Sequence, residues 1–163
     1  MKISFSFALG FAIGFPVFVE AQQHDGSYYC VTEFSGGVAY DETLKKWESA
    51  RFRPTGTFIV NFKYVGPHLY GDQSYTDDYF VTVTPSGSDK TETCRTHNEE
   101  VSEKIEFTRG VGRGDCETSM YRYTFGLKYN RFLRTFEWGG YVIGMDRKTD
   151  TPSISGGTCT KIR

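Results

Sequence analysis

Along residues 121–129 a large apolar or aromatic side chain returns at every second position, as Tyr121, Tyr123, Phe125, Leu127 and Tyr129, with Arg122, Thr124 and Lys128 between them. A period of two sets these two groups on opposite faces of a strand, so the segment reads as a half-buried antiparallel strand. After a turn at Asn130 the chain comes back as Arg131-Phe132-Leu133-Arg134-Thr135-Phe136-Glu137-Trp138, again alternating. A hairpin with such a face is not stable alone in water, so other strands must supply a second apolar layer or close the sheet around it.

Those other strands are legible. Residues 57–64 alternate cleanly, with Phe58, Val60, Phe62 and Tyr64 on one face and Thr57, Ile59, Asn61 and Lys63 on the other. Further strands are expected at 26–32, broken by Gly36-Gly37, at 79–84, ended by Pro85-Ser86-Gly87, and at 105–108. Residues 141–144 are expected to continue or bend the sheet, and 158–162 to close the chain. Residues 41–47, with Asp41 as N-cap and Leu44 and Trp47 three apart, are expected to form a short helical turn plugging one end. Residues 66–78 (rich in Gly, Pro, Tyr and Asp) read as a long connection, 88–103 as a solvated loop or edge strand, and 110–115 as a glycine-rich turn. About eight short strands with almost no helix predict an all-β fold, a small, mostly antiparallel barrel of the lipocalin-like kind, with a β-sandwich as the alternative.

The first residues stand apart. Lys2 precedes an uncharged apolar run over 3–19, and Val19-Glu20-Ala21 places small residues where signal peptidase needs them. Residues 1–21 are therefore read as a signal peptide and 22–163 as one domain. The apolar run is short for a bilayer, which asks for roughly 20 residues, and no basic stop-transfer cluster follows, so no membrane span is expected after cleavage. All four cysteines lie beyond it, and an even count in an exported chain implies two disulfides. Three connectivities are possible. Cys30 with Cys159 and Cys94 with Cys116 is the expected set, because the first would join the first and last strands of a closed sheet and the second would tie the ends of one excursion. Export places the protein in the periplasm or outside the cell.

Chemistry-bearing residues are sparse. His24, His68 and His97 show no metal-ligand spacing, so no metal or other cofactor is expected. Asp77-Asp78 and Glu99-Glu100 are adjacent pairs, which on a strand point to opposite faces and make poor acid/base partners. Residues 146–150 lack the alternating acidic positions of a calcium loop, and no helix follows the glycines of 110–114 to hold a phosphate. Arg113-Gly114-Asp115 spells the short adhesion tripeptide, a match that arises readily by chance. The formal net charge of −1 gives no bulk attraction for nucleic acid, despite aromatics interleaved with Arg and Lys over 109–134. No catalytic constellation can be assembled, so a non-catalytic protein is expected.

The strongest local signal is an arginine among aromatics, since Phe132, Arg134, Phe136 and Trp138 share one face. Turned inward, Arg134 is a buried cation that needs an anion or hydrogen-bond partners. A bound carboxylate or phosphate would satisfy it; so would Glu106 or Glu137, or stacking at the barrel mouth with the head in water. The first expectation is thus a protein enclosing a small, partly apolar ligand, with Tyr121, Tyr123, Phe125, Phe132, Phe136 and Trp138 as its aromatic lining and Arg134 as orienting cation. The second is a protein–protein interaction module that reaches an exported partner through residues 66–78 and 110–115.

Tyr28-Tyr29-Cys30, Lys45-Lys46-Trp47, Thr151-Pro152 and Gly156-Gly157-Thr158-Cys159 together resemble a group of small exported proteins of unknown function from Gram-negative bacteria. That resemblance implies export and brings no activity. More distantly, an exported disulfide-bonded barrel with an early Tyr-x-Cys is similar to periplasmic inhibitors of C-type lysozyme. Under that likeness the partner would be a secreted hydrolase, and no residue carries over.

Overall fold

The structure, a computed structural model, describes residues 24–70, 73–97, 101–146 and 151–163. The expected signal peptide lies outside the described residues. The strands are β1 (Gly26–Asp41), β2 (Lys46–Phe52), β3 (Thr57–Tyr70), β4 (Gln73–Pro85), β5 (Glu92–Thr93), β6 (Thr96–His97), β7 (Val101–Ser102), β8 (Lys104–Thr108), β9 (Arg113–Glu117), β10 (Arg122–Gly126), β11 (Arg131–Phe136) and β12 (Ser153–Lys161). Among the described residues the one helical element is a 3-10 turn, Leu127–Tyr129.

Eight of the strands close a ring in the order β12-β11-β10-β9-β8-β4-β3-β1, with β1 returning to pair with β12. Every contact around it is antiparallel. The all-β, barrel-like expectation therefore holds, and so does the disulfide pairing. Cys30 and Cys159 stand directly opposite on β1 and β12 and are bonded, locking the first strand to the last. Cys94–Cys116 is the second bridge, fastening the β5–β7 excursion to β9.

The alternation seen in the sequence decides what fills the ring. Val60 faces Val83, Phe62 faces Val81 and Tyr64 faces Tyr79 across β3 and β4, so two strands present one continuous apolar wall. Phe125 faces Phe132 on the opposing hairpin. The walls meet through edge-to-face rings: Phe58–Phe132 at 4.8 Å, Phe62–Phe125 at 5.2 Å, Phe62–Phe107 at 5.6 Å and Tyr28–Phe62 at 5.4 Å. Each such pair adds about 0.5–1.5 kcal/mol beyond the area it buries. The middle of the ring is thus packed solid.

Several local expectations need correction. Residues 41–47 form no helical turn. β1 runs to Asp41, residues 42–45 turn, and β2 returns so that Tyr40 faces Trp47 with rings 5.5 Å apart. The cap chemistry is real, since Asp41 Oδ1 accepts from the Thr43 and Leu44 amides at 2.7 and 2.9 Å, but it closes a hairpin turn with Lys45 at φ 51°. Gly36-Gly37 does not break β1. A Cβ at Gly37 would lie 2.2 Å from the Pro152 carbonyl oxygen, so the glycine permits close approach of a neighbouring chain.

Residues 66–78 are mostly strand, not loop, because β3 and β4 stay paired with register shifts at 64/66 and 68/70, and Thr76, Asp77 and Asp78 also pair with β8. Beyond Phe62 β3 has no β1 partner, and Pro67 is tolerated at this edge. The adhesion tripeptide opens β9 instead of decorating a turn, and Gly114 lies under the Phe107 ring, where a Cβ would come within 2.6 Å of it. The 3-10 turn and a left-handed Asn130 interrupt the opening alternation after Leu127, so Tyr129 points outward. Residues 141–144 are a turn, not a sheet continuation, held by Val142 and Met145 amides on the Gly139 and Gly140 carbonyls.

Candidate functional site

The packing stops short of one end of the ring. There the β2–β3, β4–β5 and β9–β10 connections surround a pocket of about 380 Å³ lined by Gly56, Thr57, Phe58, Val83, Pro85, Ser86, Glu92, Thr118, Tyr121, Tyr123 and Arg134.

Arg134 is placed there by period two along β11, which puts it on the same face as the buried Phe132 and directly opposite Tyr123. Its guanidinium carbon lies 4.7 Å from the Tyr121 ring centroid, a cation–π stack. Its Nε donates to Ser155 Oγ at 3.2 Å, and Ser155 is itself buried and opposite on β12. Among the described residues no carboxylate comes within ion-pair distance of Arg134. The two internal candidates are engaged elsewhere: Glu106 faces His68 Nε2 at 3.5 Å and Glu137 faces Arg122 Nη1 at 3.7 Å.

Tyr123 lines the same pocket as Arg134 and Glu92. Burial pushes its hydroxyl up to about 12, against the opposing pull of the Arg134 charge and hydrogen bond, so at neutral pH it is a neutral phenol. Glu92 is held below the usual carboxylate range, mainly by the Ser119 hydroxyl, with the Ser119 amide and the Lys90 charge assisting. The Ser119 amide donates to Glu92 Oε2 at 3.0 Å and the Ser119 hydroxyl donates to the same oxygen. Glu92 is therefore a carboxylate at neutral pH.

Of the residues expected to form a site, Tyr121, Tyr123 and Arg134 are brought together around this pocket. Phe125 and Phe132 belong to the solid core beneath it. Phe136 packs on Tyr121 at 5.8 Å and is half-buried, without lining the cavity. Trp138 lies past the end of β11 and is 69% exposed, so the shared face does not extend to it. Sequence reasoning missed Glu92 and Phe58. Phe58 was already marked by the alternation of β3. Glu92 sat in a run read as solvated, and its one signal was Cys94 two residues on, whose bridge to Cys116 draws β5 toward Ser119.

At the opposite end of the ring, Asp77 and Asp78 do point to opposite faces. Buried Asp77 accepts from Arg109 Nε and Nη2 at 3.0 and 2.7 Å, while Asp78 meets His68 Nδ1 at 3.2 Å. Beside the pocket end, Trp138, Tyr141, Val142, Ile143 and Met145 are each at least 46% exposed on one loop. Trp47 ties that loop to the β1–β2 hairpin, through the Tyr141 ring at 5.4 Å and Asp146 Oδ1 at 3.0 Å. No helix among the described residues is long and apolar enough to cross a membrane. Two disulfides fit an oxidising, extracellular or periplasmic setting. No family model, curated protein or solved structure matches this chain.

Proposed function

We propose that this is an exported, non-catalytic binding protein whose end pocket takes a small, partly apolar ligand bearing an anionic group. The observation that carries the reading is Arg134, which lines the pocket, stacked and oriented, with no carboxylate of the described residues within 4.0 Å. A guanidinium in that state is prepared for a carboxylate or phosphate. Tyr123 offers a neutral hydroxyl beside it, and Phe58, Val83 and Pro85 offer apolar wall. The volume lies at the small end of ligand sites, which run from about 300 to 1,000 Å³. With the leader read from residues 1–21, the periplasm or the extracellular space is the proposed location.

Native mass spectrometry of the protein isolated from its own exported fraction tests this. Retained non-protein mass that disappears in Arg134→Ala, with the variant still folded, is the expected result. Clear destabilisation of that variant with unchanged bound mass would reduce Arg134 to a structural role and end the proposal.

The apolar loop favours a second reading, an interaction module for an exported partner. A secreted hydrolase such as a C-type lysozyme is the partner that the distant resemblance names. Here the protein would inhibit the hydrolase and Ile143→Asp would abolish inhibition; an unaffected lysozyme assay removes this reading.

A further inference from the structure

The pocket carries two opposite charges that do not meet. Arg134 enters from β11 and Glu92 from β5, yet among the described residues no ion pair within 4.0 Å joins them. Two free side chains of opposite sign at one cavity gain energy by closing on each other. Each of these two has its own anchor instead. Arg134 is fixed by the Tyr121 stack and by Ser155. Glu92 is fixed by two donors of Ser119, on a strand paired to Val83 and bridged onward through Cys94–Cys116. Anchoring of this sort leaves both charges ready for a third party at little reorganisation cost.

Charge balance then selects the occupant. A simple anion would gain Arg134 and meet Glu92 as a like charge, and a simple cation would meet the reverse. Building on the end pocket as a ligand site, we infer that it is shaped for a small zwitterion, a free α-amino acid with an apolar side chain. Its carboxylate lies against Arg134, its ammonium against Glu92, and its side chain along Phe58 and Val83. The Tyr123 hydroxyl, which lines the same pocket, hydrogen-bonds the carboxylate.

Calorimetric titration at neutral pH with L-phenylalanine, 3-phenylpropionate and 2-phenylethylamine tests this, since the three share a ring and differ in charge. L-phenylalanine is expected to bind at least about tenfold more tightly than either analogue. In Glu92→Gln, which keeps an acceptor for Ser119, the preference over 3-phenylpropionate should vanish. Should 3-phenylpropionate bind the wild type as well as L-phenylalanine, and lose that binding in Arg134→Ala, the zwitterion is wrong and the anion pocket stands. The inference is equally overturned if 2-phenylethylamine matches L-phenylalanine, or if Glu92→Gln keeps the preference. Binding by none of the three overturns the inference and the pocket reading together.

Discussion

An arginine meets each end of the ring, and the two are treated in opposite ways. Arg109 lays two of its nitrogens on the buried carboxylate of Asp77. Arg134 stacks on Tyr121, bonds a serine hydroxyl and lines a cavity. Both are long cations, Arg134 on β11 and Arg109 in the turn just past β8, so residue type does not separate them. What separates them is the acid supplied by the neighbouring strand. β4 carries Asp77 on its inward face below Tyr79, whereas β10 and β12 place Tyr123 and Ser155 opposite Arg134. A charge neutralised inside the fold is part of the fold, and one left with only dipoles and a ring is available to a ligand.

The largest expected effect comes from breaking the closed end. Arg109→Met would leave the Asp77 carboxylate buried without this partner, and urea unfolding should show a loss of about 2–4 kcal/mol, below the full cost of a deeply buried pair because Arg109 is itself partly exposed. A loss under about 0.5 kcal/mol would make the two arginines equivalent.

Next in size is alkaline unfolding. Tyr123 has a folded-state pKa raised from about 10 to about 12, so its contribution is complete below pH 10 and is lost as pH rises toward 12. Tyr79 is shifted the same way by burial. Tyr123→Phe should therefore flatten the fall in stability above pH 10, leaving the remainder to Tyr79 and the other tyrosines that burial shifts the same way, Tyr28 and Tyr64 among them; an unchanged slope would mean that Tyr123 is solvated.

Ser155→Asp sharpens the comparison, because it sets a carboxylate directly opposite Arg134 and imitates the Asp77 arrangement. Ligand binding should be lost in a variant that urea unfolding shows still to fold, since at this buried position the attraction of the new pair offsets its desolvation. Retained binding would show that the ligand does not use Arg134. Smaller than the loss at Arg109, Arg134→Ala should cost about 1–2 kcal/mol, the lost stack and the hydrogen bonds to Ser155 and Tyr123, since no carboxylate of the described residues is stranded.

How much of this was legible depended on range. The inward faces of β3 and β10 followed from period two, because side-chain direction on a strand is a local property. The same local logic misread Asp41, whose oxygen caps the turn of a hairpin as readily as the start of a helix. It also misread residues 66–78, where Gly and Pro mark register shifts in continuing strands. In the site, Arg134, Tyr121 and Tyr123 could be picked from one hairpin, while Glu92 could not, since its place depends on β5 pairing with β4 and on the Cys94–Cys116 bridge.

The sequence by itself determined an all-β chain, its disulfide-bonded character and the apolar faces that must turn inward, all consequences of spacing along the backbone. Only the tertiary structure decided how far the rings fill the interior, that Trp138 falls outside, that among the described residues Arg109 finds an acid and Arg134 does not, and that Glu92 joins the same pocket. Those outcomes are set by register between strands distant in sequence, and register is decided when the ring closes and not by any one strand's pattern.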